Sequence, residues 1–310
     1  AVQSSYLKND PLYRKIVSEE FSMITPEYEW KMSQIVPEKG RYSFATADEI
    51  LAFAEEHNLK IRGHTLIWGG DLPKWFEEGK WSYEEAKNLM EEYITTVMGR
   101  YRGKVPYWDV VNEAFDLPFR WDKNPWYKAL GEEYVPLAFH IARKTDPQAK
   151  LFYNEFLAEG MNSRSDRLYE KIKKWLSEGV PIDGIGFECH FQFGIPHREE
   201  LFQNLRRFSD LGLTIHLTEV ELPIPFSVTR GRRIKQAIVY RRLIDACLNT
   251  PRCEAIVTWG VLDRYSWTQK RGWFSEPLLW DEEGKRKLPY YVFYDAVFRS
   301  QTFSENTPYP

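Results

Sequence analysis

Seven short apolar runs, separated by segments with helical spacing, constrain this chain more than any single motif. The runs are FSMIT (residues 21–25), LKIRGHTLIW (59–68), VPYWDVVNEA (105–114), AKLFYNEF (149–156), PIDGIGFECH (181–190), LTIHLTEVEL (213–222) and CEAIVTWG (253–260). Each reads as a strand covered on both faces, because a half-solvated strand would alternate polar and apolar residues. Ahead of the first run stands DPLYRKIVSEEF, and between the runs lie ATADEILAFAEEHN, SYEEAKNLMEEYITTVMGRY, PWYKALGEEYVPLAFHIARKT, SRSDRLYEKIKKWLSEG, REELFQNLRRFSDLG and GRRIKQAIVYRRLIDACLN. These carry apolar residues at helical intervals, and several open on Ser, Thr or Asp and close on Gly or Asn. Buried strands alternating with helices imply a parallel α/β architecture.

An eighth strand would close the sheet into a (β/α)8 TIM barrel. It should precede DPLYRKIVSEEF, where only AVQSSYL stands. Strand one is therefore expected to be very short, clipped at its start, or supplied by the Ala-Val pair at positions 1 and 2. An open doubly wound sheet would need a Gly-rich phosphate loop after its first strand, and neither GxGxxG nor GxxxxGK[ST] occurs. No composition break divides the 310 residues, so one barrel domain over 1–310 is expected.

Charge narrows the class of partner. The chain has 42 Lys and Arg against 45 Asp and Glu, so no long-range field recruits nucleic acid or anionic lipid. No run of 18 apolar residues exists, hence no membrane-spanning helix is expected. A neutral partner fits better, and the 12 Trp and 18 Tyr are more aromatic surface than most cores use, which suits stacking against sugars. Ala1 is not an initiator Met and no signal peptide precedes it, so the chain reads as a mature or trimmed form. Cys247 and Cys253 flank LNTPR closely enough that they could close a small disulfide loop, and Cys189 reads as a buried free thiol.

In a TIM barrel the C-terminal ends of the strands form the active face. Those ends carry Glu27, Glu29 and Lys31 after strand two, His64 and Trp68 on strand three, and Asn112 and Glu113 on strand four. They continue with Asn154 and Glu155 on strand five, Glu188 and His190 on strand six, Glu219 and Glu221 on strand seven, and Trp259 on strand eight. One such residue is easily structural; a full ring of them is hard to place in a core. The six histidines are scattered without HxH or HExxH spacing, and neighbours Cys189 and His190 face opposite ways in a strand, so no metal or other cofactor is expected. No GxSxG marks a serine nucleophile. What remains is carboxylates among aromatics, the equipment of glycoside hydrolysis.

FSMITPEYEWK, RGHTLIWGGDLPKWF, WDVVNEAF, DGIGFECH, LTEVEL and VTWGVLDRYSW resemble, in order and spacing, the family 10 glycoside hydrolases, typified by endo-β-1,4-xylanases. The resemblance implies a retaining enzyme on a β-linked polysaccharide, with Glu113 on strand four as acid/base and Glu219 on strand seven as nucleophile. Retention requires the two carboxyls to sit roughly 5 to 5.5 Å apart, and their repulsion keeps one protonated while the other is ionised. His190 is placed to hydrogen-bond Glu219 and to be held in turn by Glu221, while Asn112 is implied to bind the 2-hydroxyl of the sugar at the cleaved bond. By the same resemblance Glu27, Lys31 and His64 bind sugars on the non-reducing side, and Trp68, Trp259 and Trp267 wall the central subsites. Cys247 and Cys253 match a disulfide frequent in the family, which implies an exported, extracellular protein. A monomer acting on oligosaccharide or polysaccharide is expected.

The departures fall in the sugar-binding shell. Tyr28 stands where the family usually has Asn, and Gly69, Gly70 and Asp71 replace His-Ser-Gln. Glu188 replaces Gln, Phe156 and Leu157 replace Tyr-Asn, and Val220 and Glu221 replace Leu-Asp. Tyr28 and Asp71 thus predict altered preference on the glycone side. A glucan- or glycoside-cleaving relative, or a catalytically idle sugar-binding barrel, are the alternatives; retention of both Glu113 and Glu219 argues against the idle barrel.

Overall fold

Strand four (Tyr107–Asn112) is buried at every position, as its near-continuous apolar run requires. A computed structural model of the chain describes residues 1–191, 195–269, 272 and 274–298. Parallel pairing runs from strand two (Met23–Ile24) through strand three (Lys60–Gly63, continued as Ile67–Trp68), strand four, strand five (Lys150–Glu155) and strand six (Gly184–Phe187) to strand seven (Thr214–Val220) and strand eight (Cys253–Thr258). The gap between strands eight and two is filled by the first two residues. Val2 bridges Pro26 in parallel, its N–H donates to the Thr25 carbonyl at 2.8 Å, and the Ala1 amino group meets the Thr258 carbonyl. Of the three possibilities for strand one, the Ala-Val pair is the one observed, and a (β/α)8 barrel results.

Several helices begin at side-chain caps. Asp10 accepts from the N–H groups of Leu12 and Tyr13 at the head of Pro11–Glu20, and Ser82 and Glu85 form a reciprocal capping box for Tyr83–Arg100. Asn162 and Thr229 cap Ser163–Ser177 and Arg230–Leu248. Three boundaries differ from the sequence expectation. The segment 125–145 is two helices, Pro125–Leu130 and Tyr134–Thr145, because Gly131 takes a left-handed φ of 64° that ends the first. Strand three is interrupted at the cis His64–Thr65 peptide. Helices Ser4–Asn9 and Leu288–Phe298 were not expected from spacing; the latter is mostly aromatic and aliphatic with little amphipathic period.

The interior holds one contiguous core from Val2 to Tyr290, and residues 299–310 of the expected domain lie outside the described residues. Beneath the mouth, Arg62 on strand three grips both oxygens of Asp109 on strand four, with both side chains fully buried. Gly186 lets strand six approach: a Cβ there would come 2.0 Å from Oδ1 of Asn154. Among the described residues no helix is long and apolar enough to cross a membrane. Cys247 and Cys253 form a disulfide where Arg230–Leu248 passes into strand eight, and Cys189 is a buried free thiol.

Candidate active site

Glu113 follows strand four directly and takes a left-handed φ of 49°. For an L-residue with a long side chain this costs roughly 1–2 kcal/mol, a strain found where geometry is functional. The turn is anchored by its own N–H, which donates to the Asn154 carbonyl at 3.0 Å. Trp68 Nε1 donates to Glu113 Oε2 at 3.0 Å and Asn112 Nδ2 to Oε1 at 3.2 Å. Burial pushes the Glu113 carboxyl up, and the nearby charge of Glu219 adds to it.

Asn154 on strand five ties the strands together. Its Nδ2 lies 2.7 Å from Asn112 Oδ1, 2.8 Å from Glu219 Oε1 and 3.3 Å from Glu188 Oε1, while its Oδ1 accepts the Thr218 hydroxyl at 2.7 Å. Glu219 is thereby fixed on one oxygen. Its other oxygen lies 3.1 Å from His190 Nε2, and His190 Nδ1 lies 2.9 Å from Glu221 Oε1. Burial alone would push Glu219 up, but the His190 hydrogen bond, reinforced by the charges of His64, His190 and Lys31, reverses this and holds it at about 2. Burial likewise opposes charging of His190, yet its two carboxylate partners raise it to about 10. Glu219 is ionised and Glu113 holds its proton more tightly than an ordinary carboxyl. Opposite protonation of two facing acids is the division that acid/base and nucleophile roles need.

Glu27, Tyr28, Lys31 and His64 close around the same cavity of about 630 Å³. Asp109 sets the His64 ring through Nδ1 at 3.0 Å, and Trp259 meets that ring edge to face with centroids 5.2 Å apart. Lys31 Nζ lies 4.8 Å from the Tyr28 ring centre and 4.6 Å from that of Trp68, two cation–π contacts on one ammonium. Tyr28 also hydrogen-bonds Glu27, which takes a further bond from Gln3 at 2.9 Å.

The cavity brings together Glu27, Tyr28, Lys31, His64, Trp68, Asp71, Asn112, Glu113, Glu188, His190, Glu219, Trp259 and Trp267. Glu221 stands behind His190, fully buried, and the Cys247–Cys253 bridge lies away from the mouth. Sequence reasoning did not place Leu117 in the lining, and treated Gly70, Phe156 and Leu157 only as departures. Leu117 is 60% exposed, and its position two residues past the Phe115 strand pairing carries no periodic signal. Asn154 was read as a rim residue, but its role as a three-way bridge is visible only once the strands are assembled.

Glu188, His190 and Glu219 present ligand-type atoms within 4.8 Å of one another. A metal ligand must be a neutral imidazole with a free lone pair, whereas both nitrogens of His190 face carboxylates and its raised affinity keeps it an imidazolium. His190 bridges Glu219 and Glu221 by its two nitrogens, with Glu188 Oε2 3.7 Å from Nε2.

The profile of glycosyl hydrolase family 10 matches residues 1–296 of the chain. Endo-1,4-beta-xylanase B of Thermotoga neapolitana is 38% identical over 289 residues, 92% of this chain and 83% of that protein. The crystal structure of native xylanase 10B from Thermotoga maritima superposes with a TM-score of 0.93 at 37% identity, covering 97% of this chain and 94% of that one. Xylanase 10B from Thermotoga petrophila RKU-1, solved in complex with xylobiose, gives 0.92 at 36% identity, covering 96% and 91%.

Proposed function

The chain belongs to glycosyl hydrolase family 10 and is a glycosyl hydrolase, and on that premise we propose that it is a retaining, endo-acting β-1,4-xylanase with Glu113 as acid/base and Glu219 as nucleophile. The observation that carries the assignment is the placement of the two carboxyls in one buried mouth: Glu219 is held by His190 at 3.1 Å and Asn154 at 2.8 Å, a setting that favours its ionised form, while burial and the charge of Glu219 push Glu113 up. In the first step Glu113 gives its proton to the leaving oxygen as Glu219 attacks the anomeric carbon, and in the second Glu113 takes a proton from the incoming water. Asn112 and Asn154 fix the two carboxylates from between, so that little reorganisation accompanies charge movement. The Cys247–Cys253 disulfide supports action in an oxidising, extracellular setting.

Tyr28 supports the finer reading that glycone preference differs from that of the family at large. Its ring and the Lys31 ammonium it stacks on occupy space beside Glu27, where a second glycone sugar would otherwise reach polar groups. The test is hydrolysis of unsubstituted xylan followed by proton NMR of the first-formed anomer, with a 2-fluoro glycoside used to trap and map the nucleophile. A β first product and label on Glu219 are expected. An inverted product, or label elsewhere, would reject the assignment; xylobiose as the dominant early product would reject the altered glycone side.

A further inference from the structure

Glu188 directly follows strand six with 2% of its surface exposed, and it faces carboxyl groups from the ends of three other strands. It hydrogen-bonds Glu113 from strand four and lies within the field of Glu219 from strand seven and Glu155 from strand five. Glu155 is already held by Arg164 and by the Tyr153 hydroxyl, each at 2.7 Å. The nearest cation is His190, whose Nε2 lies 3.7 Å from Glu188 Oε2 but points its proton to Glu219 at 3.1 Å. The Asn154 amide has two N–H groups, and its shorter contacts go to Asn112 and Glu219, leaving Glu188 with the longest, 3.3 Å. Cys189, next in the chain, is neutral in this surrounding, since burial pushes its thiol up. Among the described residues, the one basic nitrogen within 4 Å of the Glu188 carboxyl is His190 Nε2, and Glu219 holds it more closely.

Two carboxyl groups that hydrogen-bond one another must hold a proton between them, because an ionised carboxylate only accepts. Resting on the acid/base assignment of Glu113, we propose that Glu188 stays a neutral carboxylic acid through the catalytic cycle and positions Glu113 by donating its O–H to it. When Glu113 passes its proton to the leaving oxygen, the bond from C1 to that oxygen breaks with its electron pair, a bond from C1 to Glu219 forms, and Glu113 becomes anionic. Glu188 then donates a charge-assisted hydrogen bond to that anion while keeping its own proton. In the return step water supplies a proton to Glu113, its oxygen bonds to C1, and Glu219 departs as carboxylate. Burial, followed by the charges of Glu113, Glu219 and Glu155, pushes Glu188 well above the ordinary carboxyl range, consistent with this role.

The experiment compares the wild-type chain with Glu188→Gln and Glu188→Met, using the pH dependence of kcat/KM on xylotetraose, whose leaving sugar needs a proton, and infrared difference spectra. Gln exchanges one neutral donor for another, so the alkaline limb should stay within about half a pH unit of wild type. Met removes the donor, so Glu113 should hold its proton more tightly, the limb should move up, and kcat should fall about ten- to a hundredfold. A wild-type minus Glu188→Gln spectrum at neutral pH should show a protonated carboxyl band. An alkaline limb that drops by roughly a unit or more in Glu188→Gln would mean an anion had been removed, and would overturn the proposal. So would a Met variant with wild-type behaviour, or a difference spectrum showing only ionised carboxylate. If wild type hydrolyses neither xylan nor xylotetraose, the xylanase assignment fails, and the infrared band still reads the state of Glu188.

Discussion

His190 holds Glu219 by a contact of 3.1 Å between Nε2 and Oε2, and the imidazolium it contributes decides the charge of the acid. Burial is the largest single influence on Glu219 and pushes it up, and the His190 hydrogen bond leads the contributions that together reverse it. Glu219 is depressed from 4.5 to about 2, so its stabilisation is present above 4.5 and lost as pH falls toward 2. His190 is raised from 6.5 to about 10, so its stabilisation is full below 6.5 and lost as pH rises toward 10. These are two views of one ion pair, counted once.

The first prediction follows for His190→Gln. The stability difference from wild type, measured by denaturant unfolding against pH, should be greatest between 4.5 and 6.5 and shrink on both sides. The acid limb of kcat/KM should also move up by about a unit or more, because burial of Glu219 is no longer opposed. A pH-independent stability difference would show that the contact carries no ionic component.

Glu219 and Glu221 share His190 but should respond differently to shortening. Glu219→Asp withdraws the attacking oxygen by about one bond, ~1.5 Å, which should lower kcat by at least ~10²-fold. Glu221→Asp withdraws only the group that steadies the ring at 2.9 Å, and should cost under about tenfold. Steady-state kinetics on an aryl β-xylobioside compares them, and equal losses would contradict the division of labour.

Glu113→Ala should separate acid from base function by leaving group. Xylan, whose leaving oxygen needs a proton, should lose about 10²–10⁴-fold in rate. An aryl glycoside with an acidic phenol needs no protonation, so its first step should survive and the covalent intermediate accumulate. Added azide should then restore turnover and yield a β-glycosyl azide. Azide with no effect, or an α product, would remove Glu113 from the acid/base role.

Much of this site was legible because rim residues of a parallel barrel sit at strand ends, and strand ends show in the sequence as the first polar groups after an apolar run. Glu113, Glu219 and His64 were found that way. The side-chain bridges were not, since Asn154 joins three strands through contacts that spacing along one strand cannot reveal. The split of 125–145 was missed because helical period continues across Gly131, and only its left-handed φ breaks the helix. The closure by Ala1 and Val2 was open among three possibilities because two residues cannot display a period.

The buried Arg62–Asp109 pair supports His64 from below, and it makes a prediction about folding and binding together. Asp109→Ala would leave the Arg62 guanidinium fully buried without its carboxylate, a loss on the order of 3–5 kcal/mol in denaturant unfolding. The double change Arg62→Met with Asp109→Leu removes both charges and should recover much of that loss, because no buried charge is left unpaired. His64 would still be without the Asp109 oxygen that fixes Nδ1 at 3.0 Å, so the double variant should keep a raised KM even where stability returns. Recovery of stability without recovery of KM is the expected signature. If KM returns with stability, Asp109 supports the fold alone and does not orient His64 for the substrate.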